Sequence, residues 1–539
     1  MASDATPAAA VAAAAAVANV VKKPKLHGRA FYESLGSPKY IVAPMVDQSE
    51  FAWRMLSRSF LPESEQSGLL AYSPMFHARL FSESQKYRDQ HFQPTKPDSD
   101  KLYLDGNPAI DRPFFVQFCA NDPQALLNAA KIAAPYCDAV DINLGCPQGI
   151  AKKGHYGSFL QEDQDLIHRL IKILHENLDI PVTAKIRILE TKEATLKYAQ
   201  NVLSAGASIL TVHGRLREQK GHLTGLADWQ MIRYLRDNLP PETVLFANGN
   251  ILQYEDLDKC LAATGADGIM SAEGNLSNPG IFAAPPPAGQ EPRGYWRGKD
   301  GKGGWRVDEV FRRYLDIMHK YVLGVPPPTR RPLFLPGDDT AWMDEAIPLP
   351  DQDGPKKRRG DTTKENASLI AANFVGMQPH LFHLLRHLVS RHHDVRAALA
   401  RSRLGEVAHH EALCRMVEKK VAEGLLEYEA SGGASAEADM PTTTPEQEAD
   451  PESSARAIRE CKRPWWVVQP IIRPLPKEAM AKGAIQLSKK ERKRVAAEME
   501  GKEEKEAKKS KEGLGAKEAA VTGSLEKTTS YPSSELVSG

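Results

Sequence analysis

Between residues 40 and 275 the chain repeats one unit eight times: a short apolar run, then a stretch whose apolar residues recur with helical spacing. The runs are Tyr40–Ala43, Leu69–Tyr72, Phe114–Phe118, Ala139–Ile142, Val182–Ile186, Ile209–Val212, Val244–Ala247 and Gly268–Met270. The helical stretches include Asp122–Ala134, Phe159–Asn177, Thr191–Ala205, Trp229–Asn238 and Gln253–Ala263. Apolar strands separated by helices belong to parallel sheets, because each crossover lays a helix over the sheet and buries both of its faces. Eight such units predict a closed (β/α)8 TIM barrel, an α/β fold. A doubly wound open sheet is the alternative, but such sheets usually have fewer strands, and no GxGxxG turn follows the first one.

In a barrel of this kind, chemistry gathers where the strands end. Those ends carry Pro44, Met45 and Val46, then Ser73 to Met75, Gln117, Asn143 with Cys146, and Lys185 with Arg187. They continue with His213 to Arg215, Asn248, Gly249 and Asn250, and Ala272, Glu273 and Gly274. Taken singly, each has an ordinary structural explanation: Gln117 as a satisfied core amide, Lys185 as a snorkelling lysine, His213 as a buried neutral imidazole. Their joint appearance at one rim predicts a shared binding site. The last two groups follow strands seven and eight, where barrels often hold phosphate with backbone N–H groups at a short helix start.

The stretch Asp138–Tyr156, DAVDINLGCPQGIAKKGHY, places a cysteine just past a strand end. Gly145 permits close backbone approach, Pro147 fixes the exit, and Lys152, Lys153 and His155 follow. An isolated cysteine is more often a buried structural residue. Here the surrounding rim makes Cys146 a candidate reactive group.

APMVDQSEFAWR, QFCANDP, DINLGCPQGIAKKGHYGSFL, KIR, VHGR, ANGNI and SAEGNLSNPGIF together resemble the tRNA-dihydrouridine synthases, flavin barrels that reduce uridine in tRNA. The resemblance covers Tyr40 to Phe282, and the first and last motifs look most like the eukaryotic branch acting on uridines 16 and 17 of the D loop. Many family members carry Arg where this chain has Glu273. The resemblance implies FMN as cofactor, NADPH or NADH as reductant, and Cys146 as the general acid. It also implies cofactor contacts from Pro44, Met45, Val46, Gln117, Lys185, His213, Asn248, Gly249, Asn250, Ala272 and Glu273, the last through its backbone N–H. Asn143 and Arg187 are expected to touch substrate or flavin. With no Rossmann motif, the nicotinamide is expected to visit the same flavin face before the tRNA does. An FMN-barrel reductase of a small pyrimidine or enone, and a non-catalytic RNA-binding protein, are the alternative readings.

A net charge of +1 leaves no whole-molecule attraction for nucleic acid, so RNA must be gripped by local patches. One lies between Asn366 and Tyr428, a helical stretch resembling the family's tRNA-binding domain, with Arg386, Arg391, Arg396, Arg401 and Arg403. On one helical face there, His380, His383 and His387 read as RNA contacts or surface histidines rather than metal ligands. Six cysteines without a CxxC pair predict neither a zinc framework nor a disulfide scaffold, and no metal is expected. No apolar run reaches the roughly 18 residues of a membrane span, and the alanine-rich start lacks a secretory pattern. The expected organisation is a disordered arm (1–36), the barrel (37–290), a smaller helical tRNA-binding domain (291–430) broken by a disordered linker (324–365), and a mostly disordered charged tail (431–539). Within that tail KRPWWVVQPIIRP, near 463–475, should dock on a folded domain, because its Trp and Ile residues are costly to leave in water. The scattered cysteines imply a reducing compartment, and the basic runs PKKRRG and SKKERKRV read as solvated tails or as nuclear-targeting or RNA-gripping segments, so a cytoplasmic and/or nuclear setting is expected; no obligate protein partner is evident.

Overall fold

The computed structural model describes residues 25–97, 99–350, 371–437, 440, 442–450 and 452–481. The alanine-rich start, PKKRRG and the basic tail after Ala484 lie outside the described residues. Residues through Leu475 make one unit, and the short helix Pro476–Ala481 belongs to a second.

The eight expected strands are present as β1 (Tyr40–Val42), β2 (Leu69–His77), β3 (Phe114–Cys119), β4 (Ala139–Leu144), β5 (Val182–Arg187), β6 (Ala207–His213), β7 (Val244–Asn248) and β8 (Gly268–Ser271). They close in sequence order, all pairs parallel, with Tyr40 opposite both Leu69 and Ile269. Side chains alternate along a strand with period two, so residues two apart share a face. The register then builds rungs of polar residues: Gln117, Asp141 and Thr183; Asn143, Lys185 and Thr211; Arg187, His213 and Asn248. Each rung stands further toward the C-terminal mouth. Helices begin where the sequence supplies a cap: Asp122, Asp163, Thr191 and Asp228 each accept a first-turn N–H.

The helix Phe51–Arg58, after β1, is buried along its whole length. Arg54 and Arg58, four apart and so on one face, meet the carboxylates of a loop. Asp111 accepts from Arg54 Nε (3.1 Å) and Nη2 (2.5 Å) and from Arg58 Nη1 (2.5 Å), while Asp105 accepts from Arg54 Nη2 (2.8 Å). Burial alone would raise the pKa of Asp111, but the two guanidiniums more than offset it and hold the carboxyl below its ordinary value.

After the barrel comes a hairpin, β9 (Tyr295–Arg297) with β10 (Gly303–Trp305), so the region expected to be all-helical opens with a small sheet. The helix Val307–Ile317 follows, then Ala372–Leu384, Arg386–Arg391, His393–Arg401 and Val407–Ala430. This helical region is packed into the barrel. The His380 ring stacks on Trp53 at 4.0 Å, its Nε2 lies 3.0 Å from both Glu50 oxygens, and Asn373 Oδ1 accepts the Ala52 N–H at 2.9 Å. His380 is therefore a fully buried docking contact, not the surface histidine its spacing suggested.

Other expectations of disorder are corrected as well. Within 1–36, Gly28–Ser34 is a helix that buries Phe31 and Tyr32. Within 324–365, the described residues run to Pro350 and are held down: Arg330 pairs with Glu411 and Asp316, Arg331 with Glu418, and Leu333 and Phe334 are buried. Within 431–539, Ser454–Cys461 is helical, ahead of the expected docking segment that carries the buried Trp465 and Trp466. Arginine–carboxylate pairs and two aromatic anchors tie down segments whose Pro, Gly and charge content reads as linker.

Asp111→Asn should lower stability by about 3–5 kcal/mol, since it removes the carboxylate that pairs with buried Arg58 and one of the two that pair with buried Arg54. Urea unfolding checks this; a loss below about 1 kcal/mol would mean that Asp105 and backbone carbonyls satisfy both arginines.

Candidate active site

Cys146 lies two residues past β4 and is partly exposed, whereas the other five cysteines are buried. Its backbone is held on both sides. Asn143 Oδ1 accepts the N–H of Gly145 (3.1 Å) and of Cys146 (2.9 Å). The Cys146 carbonyl accepts the Ser158 N–H (3.1 Å) and hydroxyl (2.9 Å). Gly157 makes that second contact possible: at φ +65° a Cβ there would stand 2.8 Å from the Cys146 oxygen.

Asn143 is in turn oriented from below. Asp141 is fully buried and takes the Thr183 hydroxyl (2.6 Å) and Gln117 Nε2–H (2.7 Å). Gln117 must then turn Oε1 toward Asn143 Nδ2 (2.8 Å), which aims Asn143 Oδ1 at the cysteine loop. A carboxylate that only accepts stands at one end and backbone N–H groups that only donate at the other, so the orientation of both amides is determined. Burial pushes the Asp141 carboxyl up to about 6, opposed by its bonds to Thr183 and Gln117 and by the Lys185 charge.

The next rungs are cationic. Burial and the neighbouring Arg187 lower Lys185 to about 8, and among the described residues nothing hydrogen-bonds its ammonium. Arg187 spends Nε on the Gly145 carbonyl (2.8 Å) and Nη1 on that of Leu216 (2.8 Å). Arg215 Nη1 lies 3.0 Å from His213 Nε2; a guanidinium has no acceptor, so the imidazole accepts there and carries its proton on Nδ1. Burial, then Lys185, Arg187 and Arg215, push His213 well below its ordinary pKa and keep it neutral.

At the ends of β7 and β8, Asn248 Nδ2 donates to the Met270 carbonyl (2.8 Å), and Gly249 adopts φ +116°, where a Cβ would fall 2.6 Å from Ala227 Cβ. Asn250 is pinned by Arg215 Nη2 (2.8 Å) and the Ala227 N–H (2.9 Å). Ala272 caps the five-residue helix Glu273–Ser277. Past the end of β1, which pairs with β8, Pro44 is half-buried, Met45 is buried in the core, and Val46 is exposed.

A desolvated ammonium without a counter-ion in contact suits an anion or a carbonyl-bearing ring. Gln117 keeps one N–H and one lone pair beyond its two bonds. This donor set fits the pyrimidine edge of the flavin that the sequence resemblance implies. Residues that follow Cys146 in the chain, Lys152, His155, Phe159 and Glu162, line a cleft of about 470 Å³ with Arg217 and Glu218.

Three of the expected site residues make contacts that the sequence did not indicate. Asn143 and Arg187 first of all brace the Gly145–Cys146 loop. Glu273 turns its carboxylate to Arg473 of the C-terminal segment. Asp141, Ser158 and Arg473 take part without having been singled out from the sequence, and Arg215, counted there among the strand ends, had been given no role. An acidic residue inside an otherwise apolar strand was the available sign for Asp141; nothing local marked Arg473.

Residues 41–295 match the family model described as Dihydrouridine synthase (Dus). A Schizosaccharomyces pombe protein named tRNA-dihydrouridine(16/17) synthase, with NAD(P)(+) in its name, is 44% identical over 454 residues, 84% of this chain and 92% of that one. A Saccharomyces cerevisiae protein of the same name is 56% identical over 301 residues, 56% of this chain and 65% of the relative. A Mus musculus protein, named as a tRNA-dihydrouridine(16/17) synthase-like protein, is 45% identical over 55% of each chain.

Asp141→Leu should cost about 1–3 kcal/mol by stranding the Gln117 amide, whereas Asp141→Asn keeps an acceptor if Thr183 turns its hydroxyl to accept, and should lose less. Equal losses would show that charge, not the acceptor, is what matters. Because the folded pKa is raised to about 6, protonation of Asp141 stabilises the fold below the unfolded value and this contribution is lost as pH rises through 6. The parent should therefore gain stability relative to Asp141→Asn as pH falls from about 7 to 5.

Proposed function

Because the chain belongs to the dihydrouridine synthase family, we propose that it reduces the C5=C6 bond of D-loop uridines 16 and 17 in tRNA to 5,6-dihydrouridine, with FMN as cofactor and NADPH or NADH as reductant. The observation that carries this reading is the presentation of Cys146: a partly exposed thiol on a doubly clamped loop, beside a cation-rich barrel mouth. Bound in that mouth, the flavin supplies the hydride that adds at C6 of the pyrimidine.

The residues of the chain do the rest. Hydride addition at C6 leaves C5 in need of a proton, and the Cys146 thiol is the side chain its loop offers, since the neighbouring backbone groups are already hydrogen-bonded. Lys185, at about 8, is still mostly protonated at neutral pH and offsets the negative charge that reduction places on a bound ring. Neutral His213 is a donor through Nδ1. Gln117 would hold the pyrimidine edge with its remaining N–H and lone pair, and Pro44 and Val46 would pack against the ring.

A D-loop uridine is largely unpaired, so swinging it onto the flavin costs little of the stacking energy that a duplex base would lose. Exposed Lys152, Lys153 and His155 suit the phosphates flanking that uridine. Arg386, Arg391, Arg396, Arg401 and Arg403 are all exposed on the helical region and suit the body of the tRNA.

Cys146→Ala tests the assignment by separating two half-reactions. NADPH should bleach the variant's flavin absorbance at close to the parent rate, because that step takes no proton from the thiol. Reoxidation by tRNA should slow about a hundredfold to ten-thousandfold, the usual worth of a positioned general acid. Normal tRNA-driven reoxidation in stopped flow would show that another group protonates C5.

A further inference from the structure

The segment after Cys461 is a strap across three parts of the molecule. Arg463 Nε donates to the Gly303 carbonyl (3.0 Å), the Trp466 carbonyl accepts the Val307 N–H (2.9 Å), and the Val468 N–H donates to the Trp305 carbonyl (2.9 Å). The rings of Trp465 and Trp466 lie over Gly424 of the long Val407–Ala430 helix, where an added Cβ would meet each at 2.7 Å. Beyond these anchors the strap reaches the barrel mouth. Arg473 Nη2 donates to Glu273 Oε1 at 2.8 Å, and Nε lies 3.2 and 3.3 Å from the two oxygens.

With side chains 49% and 40% exposed, this pair adds at most about 1 kcal/mol to the fold, so stability does not explain it. Its location is more informative. Glu273 is the second residue past β8, and Arg215, past β6, lies within the electrostatic reach of both Glu273 and Arg473. Arg215 is already committed to His213, Asn250 and the Gly225 carbonyl. Arg473 is not: only Nε and Nη2 contact Glu273, and Nη1 makes no hydrogen bond among the described residues. A phosphate monoester at this rim carries close to two negative charges and would be repelled by Glu273 unless a cation intervened.

We infer that Arg473, delivered by the C-terminal strap, is the cation that binds the phosphate of FMN at the ends of β7 and β8, with Glu273 holding its guanidinium in place. This rests on the flavin reading above. A residue near the end of the strap then completes a site otherwise built by the barrel, and the tryptophans that anchor the strap to the helical region set its reach.

The test uses the full-length protein, stripped of flavin and titrated separately with FMN and with riboflavin, which lacks the phosphate. Arg473→Ala should weaken FMN binding about tenfold to a hundredfold, the worth of a charge-assisted hydrogen bond, and leave riboflavin binding unchanged. Adding Glu273→Arg to Arg473→Ala, which moves the cation from strap to barrel, should restore the preference for FMN. An unchanged preference in Arg473→Ala overturns the inference. So does an equal loss for both flavins, which means the strap only supports the fold, or a loss confined to tRNA binding, which means the arginine meets an RNA phosphate. A parent that binds FMN while Arg473→Ala shows no loss overturns this inference alone; a parent that binds neither flavin overturns the flavin reading with it.

Discussion

Asp141 can only accept hydrogen bonds when ionised, and it is buried where Thr183 and Gln117 reach it. From that restriction the direction of every later bond follows: Gln117 faces Asn143 with its oxygen, and Asn143 faces the Gly145 and Cys146 N–H groups with its own. A barrel strand offers side chains to the interior at every second residue, so Asp141 and Asn143 are consecutive interior positions of β4. The carboxylate below thus sets the geometry of the cysteine above. Desolvation makes the arrangement demanding, because a buried polar group without a partner costs more than the bond itself contributes. Ser158 and Arg187 finish the clamp from outside β4, and Gly157 lets the Ser158 turn approach.

The Phe51–Arg58 helix does the equivalent work for the molecule as a whole. One face carries Arg54 and Arg58 to Asp105 and Asp111; another offers Trp53 to the His380 ring. Its start, at Glu50 and Ala52, is bonded to His380 and Asn373. The loop of Pro44 to Val46, which leads into this helix, therefore shares one packed body with the helical region. A barrel without that region would expose Trp53 and Glu50, both buried in the intact chain. The region that suits tRNA is thus part of what holds the barrel mouth together, rather than an appendage on a self-sufficient enzyme.

The barrel was legible because its signals are local and repeated: apolar runs, helical spacing between them, and Asp or Thr caps at the starts of helices. The candidate site was legible in part, because strand ends can be counted and barrels collect their chemistry there. What could not be read are the partners that topology alone brings together. The helical spacing of His380, His383 and His387 says that they share a face but not what the face meets, and at His380 it meets Trp53. Arg330 and Arg331 sit in a Pro-rich stretch that reads as linker until Glu411 and Glu418 lie opposite. Glu273 and Arg473 are 200 residues apart, and no periodicity links them.

We propose above that this barrel presents Cys146 as proton donor to uridines 16 and 17 of the D loop. The most direct test is mass mapping of unmodified tRNA after incubation with the purified protein and NADPH. The expected result is a gain of two hydrogens at each of those uridines, dependent on the protein. Reduction confined to another position of the loop, or a flavin-loaded protein that oxidises NADPH and leaves every uridine intact, would contradict it.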